Sequence, residues 1–258
     1  MKNNIKRIVV ISGCTSGIGE QLCRLYRADG HTVIGLARSA SGDDIAVDVT
    51  DENALTAALD GIAEKYGRID TVIACAGGGL SGATELLPTE EIERQMALNF
   101  GGALGLVRHA LKYMHRGGKA VFISSACALF ALPFRAMYCA SKAAVNMAAF
   151  GLYMELKKHG ICVSSVCPGD IRTNFTANRV KFGDGGERYG DEPSVSARKI
   201  DSREHKRMDP VKASKKIYKC CVKCRKPLYI VGFKYKMLNF LRHVLPQKLF
   251  LDVTAKLF

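Results

Sequence analysis

Short apolar runs alternate with longer amphipathic segments along the chain. Ile8-Val9-Val10-Ile11 is a continuous β-branched run closed by Ser12-Gly13, the pattern of a parallel strand covered on both faces. A helical pattern through Leu22, Leu25 and Tyr26 follows and stops at Asp29-Gly30. Further strands are predicted over Thr32 to Ala37, Ile45 to Val47, Asp70 to Ala74, Lys119 to Ser124, Ile161 to Val166 and Leu228 to Val231. Helices are predicted over 51–66, with Leu55, Leu59 and Ile62 on one face, and over 89–115, 138–159 and 209–223. The connection after Arg38 is too short for a crossover helix and should be a loop. Strand and helix in alternation predict an α/β fold, a doubly wound parallel sheet of about seven strands with helices on both faces. Residues 170–210 are rich in Gly, Arg, Asp and Ser without a sustained period, and read as a lid lacking regular structure. The expected organisation is a single domain over 1–232, including that lid, and an apolar and basic C-terminal tail over 233–258, interrupted at Pro246.

The charge is uneven. Residues 1–197 hold 21 Lys and Arg against 20 Asp and Glu, whereas residues 198–258 hold 17 against 4, so nearly all of the net +14 belongs to the last quarter. Such a block reads first as a solvated face, with an anionic membrane surface or an anionic substrate as the functional alternatives. No nucleic-acid partner is expected, because no recognised module surrounds the charges. Ten cysteines scattered through strand-like and helix-like runs point to reduced thiols in the cytoplasm. Cys221 and Cys224 form a lone CxxC beside Cys220; with no second pair, helix packing is expected and no metal site. The basic stretch Met1 to Arg7 before Ile8 resembles the start of a signal peptide, but the apolar run is too short. The longest uncharged stretch, Ala120 to Phe134, is likewise shorter than the roughly 20 residues of a spanning helix. The expectation is a soluble, cytoplasmic protein whose tail packs on the domain's own core, with covering the pocket or peripheral contact with an anionic membrane as the alternatives.

Two segments carry candidate chemistry. Gly13-Cys14-Thr15-Ser16-Gly17-Ile18-Gly19 lies between the first strand and the first helix, where glycines let backbone amides approach a pyrophosphate. Tyr138-Cys139-Ala140-Ser141-Lys142 opens a helix, so Tyr138 and Lys142 share one face a turn apart. A cation beside a phenol favours the phenolate and suits the pair to acid/base work. After the second strand stand Arg38-Ser39 and no carboxylate. An arginine there can pair with a 2′-phosphate, which points to NADP over NAD. Gly77-Gly78-Gly79 follows the fourth strand, at the edge where open parallel sheets bind ligands.

Taken together these residues resemble the short-chain dehydrogenase/reductase family, of the classical type, over about Lys6 to Leu228. Ser12 to Gly19 is similar to the family's TGxxxGIG cofactor motif. Tyr138 to Lys142 is similar to its YxxSK-type motif, with Ser125 at the interval of the catalytic serine and Asn99 at the asparagine of the central helix. Asp48-Val49 resembles the pair that contacts adenine, and Pro168-Gly169-Asp170-Ile171-Arg172-Thr173 the PG-x-I-x-T segment beside the nicotinamide. One departure is Ala74-Cys75-Ala76-Gly77, where the family usually has Asn-Asn-Ala-Gly: Ala76 and Gly77 keep the backbone path, but an amide that steadies the loop is lost.

The resemblance implies a Rossmann-like fold and a reversible hydride transfer between NADP(H) and a small-molecule carbonyl or alcohol. Tyr138 would be the acid and a contact of the bound cofactor, Ser125 a hydrogen-bond donor to the substrate oxygen, Lys142 the residue that lowers the Tyr138 pKa and binds the nicotinamide ribose, and Asn99 the holder of a proton-relaying water. The long helices from Thr89 and Tyr138 would pair across a homodimer or homotetramer. The apolar tail suggests a lipophilic substrate such as a steroid-like or long-chain ketone. The rival readings are a non-catalytic NADP-binding sensor or scaffold, against which Ser125, Tyr138 and Lys142 argue, and a basic nucleic-acid-binding protein.

Overall fold

A computed structural model describes residues 6–173, 175–202 and 207–257. The chain runs β1 (Ile8–Ser12), α1 (Gly17–Ala28), β2 (Thr32–Ala37), β3 (Ile45–Ala46), α2 (Glu52–Tyr66), β4 (Thr71–Ala74) and β5 (Leu80–Ser81). It continues with α3 (Thr89–Met96), a π-helical turn (Ala97–Gly102), α4 (Ala103–Ala110), β6 (Lys119–Ile123), α5 (Ala136–Leu156) and β7 (Cys162–Pro168). The last third holds β8 (Val180–Lys181), α6 (Gly186–Tyr189), α7 (Glu192–Ser202), α8 (Pro210–Lys223), β9 (Leu228–Val231), α9 (Phe233–Val244) and α10 (Gln247–Leu257).

Seven strands form one parallel sheet in the order β3-β2-β1-β4-β6-β7-β9, the doubly wound arrangement the alternation predicts. Side chains alternate across it. From β1, Val10 faces Leu55 and Leu59 of α2 and Leu106 and Val107 of α4, while Val9 and Ile11 face Leu22 and Tyr26 of α1 and Ile217 of α8. Each such side chain taken from water contributes roughly 1.5–3 kcal/mol before the cost of ordering. Cys221 and Cys224 are buried in the second layer, as packing residues. No helix among the described residues is long and apolar enough to cross a membrane.

Two expectations need correction. The segment over 170–210 is not structureless among its described residues: β8 pairs with β5, with Leu80 opposite Val180, and α6 and α7 follow. These elements are too short to leave a period in the sequence, and the pairing partner lies about a hundred residues away. The segment from Thr89 is not one regular helix to His115 either, since the turn at 97–102 widens it and it ends in a 3₁₀ turn at Tyr113. In the tail, Pro246 separates α9 from α10, and Tyr235, Leu238 and Phe250 join Phe130, Leu132 and Cys139 in a third apolar cluster.

Candidate active site

Strand β1 delivers the glycine segment to the carboxyl edge of the sheet. Gly13 and Gly17 have φ of +71° and +57°, which side chains rarely tolerate. At Gly19 the limit is contact: a Cβ would stand 2.1 Å from the Gly13 carbonyl oxygen. A Cβ on Gly13 would meet the Ala76 backbone at 3.0 Å. The first turn of α1 is thereby drawn against the loop after β4, and both open into a cavity of about 400 Å³. Backbone amides at a helix N-terminus, glycines in place of side chains and Arg38 on the same cavity fit a dinucleotide.

The loop after β4 is held from below. Ser12 Oγ accepts hydrogen bonds from the amides of Cys75 at 3.0 Å and Ala76 at 3.1 Å. Fully buried Asn99, on the π-helical turn, accepts from the Gly78 amide at 2.8 Å and donates to the Gly78 carbonyl and to Ser141 Oγ, both at 3.0 Å. Gln95 donates to the same carbonyl at 2.9 Å. The loop is therefore well tethered although Cys75 stands in it. Burial pushes that thiol up to about 12, so it stays neutral. A Cβ on Gly77 would lie 3.0 Å from Asn99 Oδ1 and 3.2 Å from Lys142 Nζ, which puts these two groups at one point of the backbone.

Tyr138 and Lys142 lie on the inward face of α5, each about 5% exposed. Lys142 Nζ donates to the Ile123 carbonyl at 3.2 Å, and Ser124 Oγ to the Lys142 carbonyl at 3.1 Å. Burial lowers the Lys142 pKa to about 8. The Tyr138 phenol is raised well above its ordinary value, by burial first and Cys127 next, against the pull of Arg135 and of a hydrogen bond with Ser125. This differs from the expectation of a phenol depressed by Lys142: burial outweighs the nearby cations, and the cation on the ring is Arg135, 5.1 Å from its centroid. The consequence is a tyrosine protonated at neutral pH. Ser125 Oγ also accepts from the Cys127 amide at 3.1 Å. The Cys127 thiol is held below its ordinary value by its hydrogen bond with Cys139, against burial and with help from Arg135 and Ser125.

One cavity is lined by Gly13, Ser16, Gly17, Ile18, Gly19, Arg38, Ala76, Gly77, Ser125, Tyr138, Lys142, Pro168, Gly169, Ile171 and Thr173. Asn99 stands behind it. Thr15, Ser39, Asp48 and Val49 do not line it: Thr15 and Ser39 are exposed, the Asp48 carboxylate accepts from the Thr50 amide and hydroxyl, and Val49 packs on Gly102. Sequence reasoning passed over Gln95, Arg135, Arg179 and Tyr235, and named Ser12 as the first position of the glycine motif without its role in holding the loop. Gln95 lies four residues before Asn99 on one helix face and could have been found. Tyr235 could not, because its place depends on how α9 docks: it stacks on Phe130 with an interplanar angle of 2°, over Gly169, whose Cβ would stand 2.0 Å from its ring.

A doubly wound sheet with a glycine cradle and an acid/base cluster at its carboxyl edge defines a dinucleotide-binding oxidoreductase. Comparison with known proteins narrows the class. The family model of short chain dehydrogenases matches residues 7–183, and the chain belongs to the short-chain dehydrogenase/reductase family. It is 36% identical over 180 residues to a 3-ketodihydrosphingosine reductase of Bacteroides thetaiotaomicron, covering 67% of each chain. Among solved structures it is similar to a short-chain dehydrogenase from Streptomyces avermitilis, with a TM-score of 0.81, 25% identity and 96% of each chain covered. A short chain dehydrogenase from Burkholderia cenocepacia in complex with NADP shares the fold at a TM-score of 0.75 and 20% identity, over 95% of this chain and 96% of that one.

Proposed function

We propose that the protein is an NADP(H)-dependent oxidoreductase that interconverts a carbonyl and a secondary alcohol on a lipophilic substrate such as a steroid-like or long-chain ketone. The observation that carries this reading is a buried, protonated Tyr138 facing the same cavity as Ser125, Lys142 and the glycine cradle. Gly13 to Gly19 would hold the pyrophosphate, Arg38 the 2′-phosphate, and Pro168 to Thr173 the nicotinamide end. When bound, the cofactor supplies or takes up the hydride at the carbonyl carbon. Tyr138 gives its proton to the carbonyl oxygen, and Ser125 donates a hydrogen bond to that oxygen as charge grows on it. Lys142, poised near pH 8, binds the ribose and exchanges protons around neutrality; Asn99 holds a water that returns them. Leu98, Phe130, Leu132 and Phe175 on the cavity wall, together with the 3-ketodihydrosphingosine in the name of the Bacteroides relative, support a lipophilic substrate.

Tyr138→Phe should lower carbonyl reduction by about two to four decades while leaving NADPH binding, followed by nicotinamide fluorescence, unchanged and tighter than NADH binding. Near-normal turnover in the variant would remove Tyr138 from the acid's role, and tighter NADH binding would overturn the Arg38 argument. We also infer a homo-oligomer formed through α5 and a peripheral contact of the basic tail with anionic membrane, in a cytoplasmic setting that the ten free cysteines support.

A further inference from the structure

The cavity beyond Tyr138 is walled by two arginines with guanidinium donors that the described residues leave without hydrogen-bond partners. Arg135 is 8% exposed and Arg179 5%, and both line the cavity. Nε of Arg135 and Nε and Nη1 of Arg179 have no hydrogen-bond partner among the described residues. Buried guanidinium donors without partners are costly, and such groups are otherwise found paired. Neither belongs to the cofactor cradle. Arg135 lies on the face of the Tyr138 ring. The Arg179 stem packs at the far end of the glycine run, where a Cβ on Gly79 would meet its Cγ at 3.0 Å and the Phe175 ring at 3.2 Å. Phe175 in turn sits 5.8 Å from the Tyr138 ring. The two arginines thus border the space where a carbonyl must lie to reach Tyr138.

The neighbouring charged groups leave those donors without a hydrogen bond. Arg207 adds a third cation, but its guanidinium is engaged by Thr176 Oγ1 at 2.6 Å and the Ile200 carbonyl at 2.5 Å. Asp201 favours the Arg179 cation without a hydrogen bond to it; its Oδ2 pairs with Lys181 at 2.8 Å, and its Oδ1 has no partner among the described residues. Against burial, Cys127 and Asp170 favour the charged form of Arg135 and hold its pKa above the ordinary value, while the Asp170 carboxylate is itself engaged by Tyr235. Burial, with Arg135 and Arg207, pulls the Arg179 pKa down to about 10, so the guanidinium remains charged at neutral pH.

From this geometry we infer that the substrate is an anion, an apolar carbonyl compound bearing a phosphate or carboxylate group that Arg179 and Arg135 hold within reach of Tyr138. The inference rests on the reductase reading above and adds the headgroup to it. A guanidinium matches both anions through charge-assisted hydrogen bonds, and the dry, apolar surroundings of Phe175, Leu98 and Phe130 strengthen them.

The test uses the full chain saturated with NADP⁺, so that the phosphate sites of the cradle are filled. Octyl phosphate, nonanoate and neutral octanol are titrated calorimetrically into the wild type and into Arg179→Met. Either anion, or both, should bind on the order of ten- to a hundredfold more tightly than octanol, and Arg179→Met should erase that advantage. The arm that binds more tightly distinguishes phosphate from carboxylate. No anion preference, or a preference unchanged in a folded Arg179→Met and in Arg135→Met, overturns the inference. Turnover is read separately, with NADPH and a long-chain ketone ending in the winning headgroup or in a free hydroxyl. Tight anion binding without turnover of either ketone would sink the reductase reading and leave the anion site standing; equal turnover of both ketones would do the reverse.

Discussion

Lys142 holds its ammonium where there is little water, with the Ile123 carbonyl as its hydrogen-bond partner. Folded, it releases its proton near pH 8; unfolded, near the ordinary lysine value of about 10.4. Below pH 8 the folded state carries the whole cost of a poorly solvated charge. Between the two values the unfolded chain binds more protons, so this residue's contribution to stability rises with pH. Lys142→Met should therefore stabilise the cofactor-free protein by on the order of 1–3 kcal/mol at pH 7, with the gain fading towards pH 10. Denaturant midpoints across that range measure it, and a lower midpoint for the variant at pH 7 would mean the ammonium is well compensated. The Tyr138 and Lys142 pairing is legible in the sequence because helix geometry alone puts them together. The direction of the Tyr138 shift is not, because it depends on how deeply α5 is covered and on Arg135 reaching back over the ring. Ser12 is legible as the first position of the glycine motif, but that its hydroxyl carries two loop amides depends on how closely the loop after β4 approaches β1.

Helix α5 does two jobs with two faces. Its inner face carries Tyr138, Ser141, Lys142 and Asn146, all buried, whereas Met147 and Met154, seven residues apart, are each 70% exposed. Two turns of helix align such a pair on one stripe, and apolar side chains that open to water suit an intersubunit face. Met147→Asp with Met154→Asp should shift the protein to monomers in sedimentation velocity; an unchanged oligomer would assign the interface elsewhere. At this scale the sheet was readable because each strand is a short β-branched run, and α2 and α8 because one face is apolar and an aspartate, Asp51 or Asp209, caps the start. The lid was not: β5 and β8 are two residues each and exist only by pairing with one another. Their stability is a long-range property that no local window contains.

On the whole molecule, the excess positive charge and the apolar tail fall in the same quarter of the chain. Tyr235, Leu238 and Phe250 are committed to the third apolar cluster, but Phe233 and Phe240 remain 78% and 63% exposed, with Met237, Val244, Leu249 and Leu251 also open. Cations interleaved with outward aromatic side chains suit an anionic bilayer surface. The protein should sediment with phosphatidylserine vesicles at low salt, be released near 1 M salt, where screening extends only about 3 Å, and lose the association in Phe233→Glu with Phe240→Glu. Failure to sediment at low salt would confine the tail to its packing role. The lid has a different relation to the rest. Besides the Arg188 to Glu85 ion pair at 3.1 Å and the contact of Tyr189 with Phe134, its pairing with the main body runs through backbone groups, the Val180 amide to the Gly79 carbonyl at 3.0 Å and the Phe182 amide to the Ser81 carbonyl at 2.8 Å. Bonds of that kind make little demand on side-chain identity. Residues facing the cavity from this segment can therefore be exchanged by mutation while the β5–β8 pairing keeps its position, so that under the proposed function substrate preference can diverge between descendants of this chain without rebuilding the machinery beneath it.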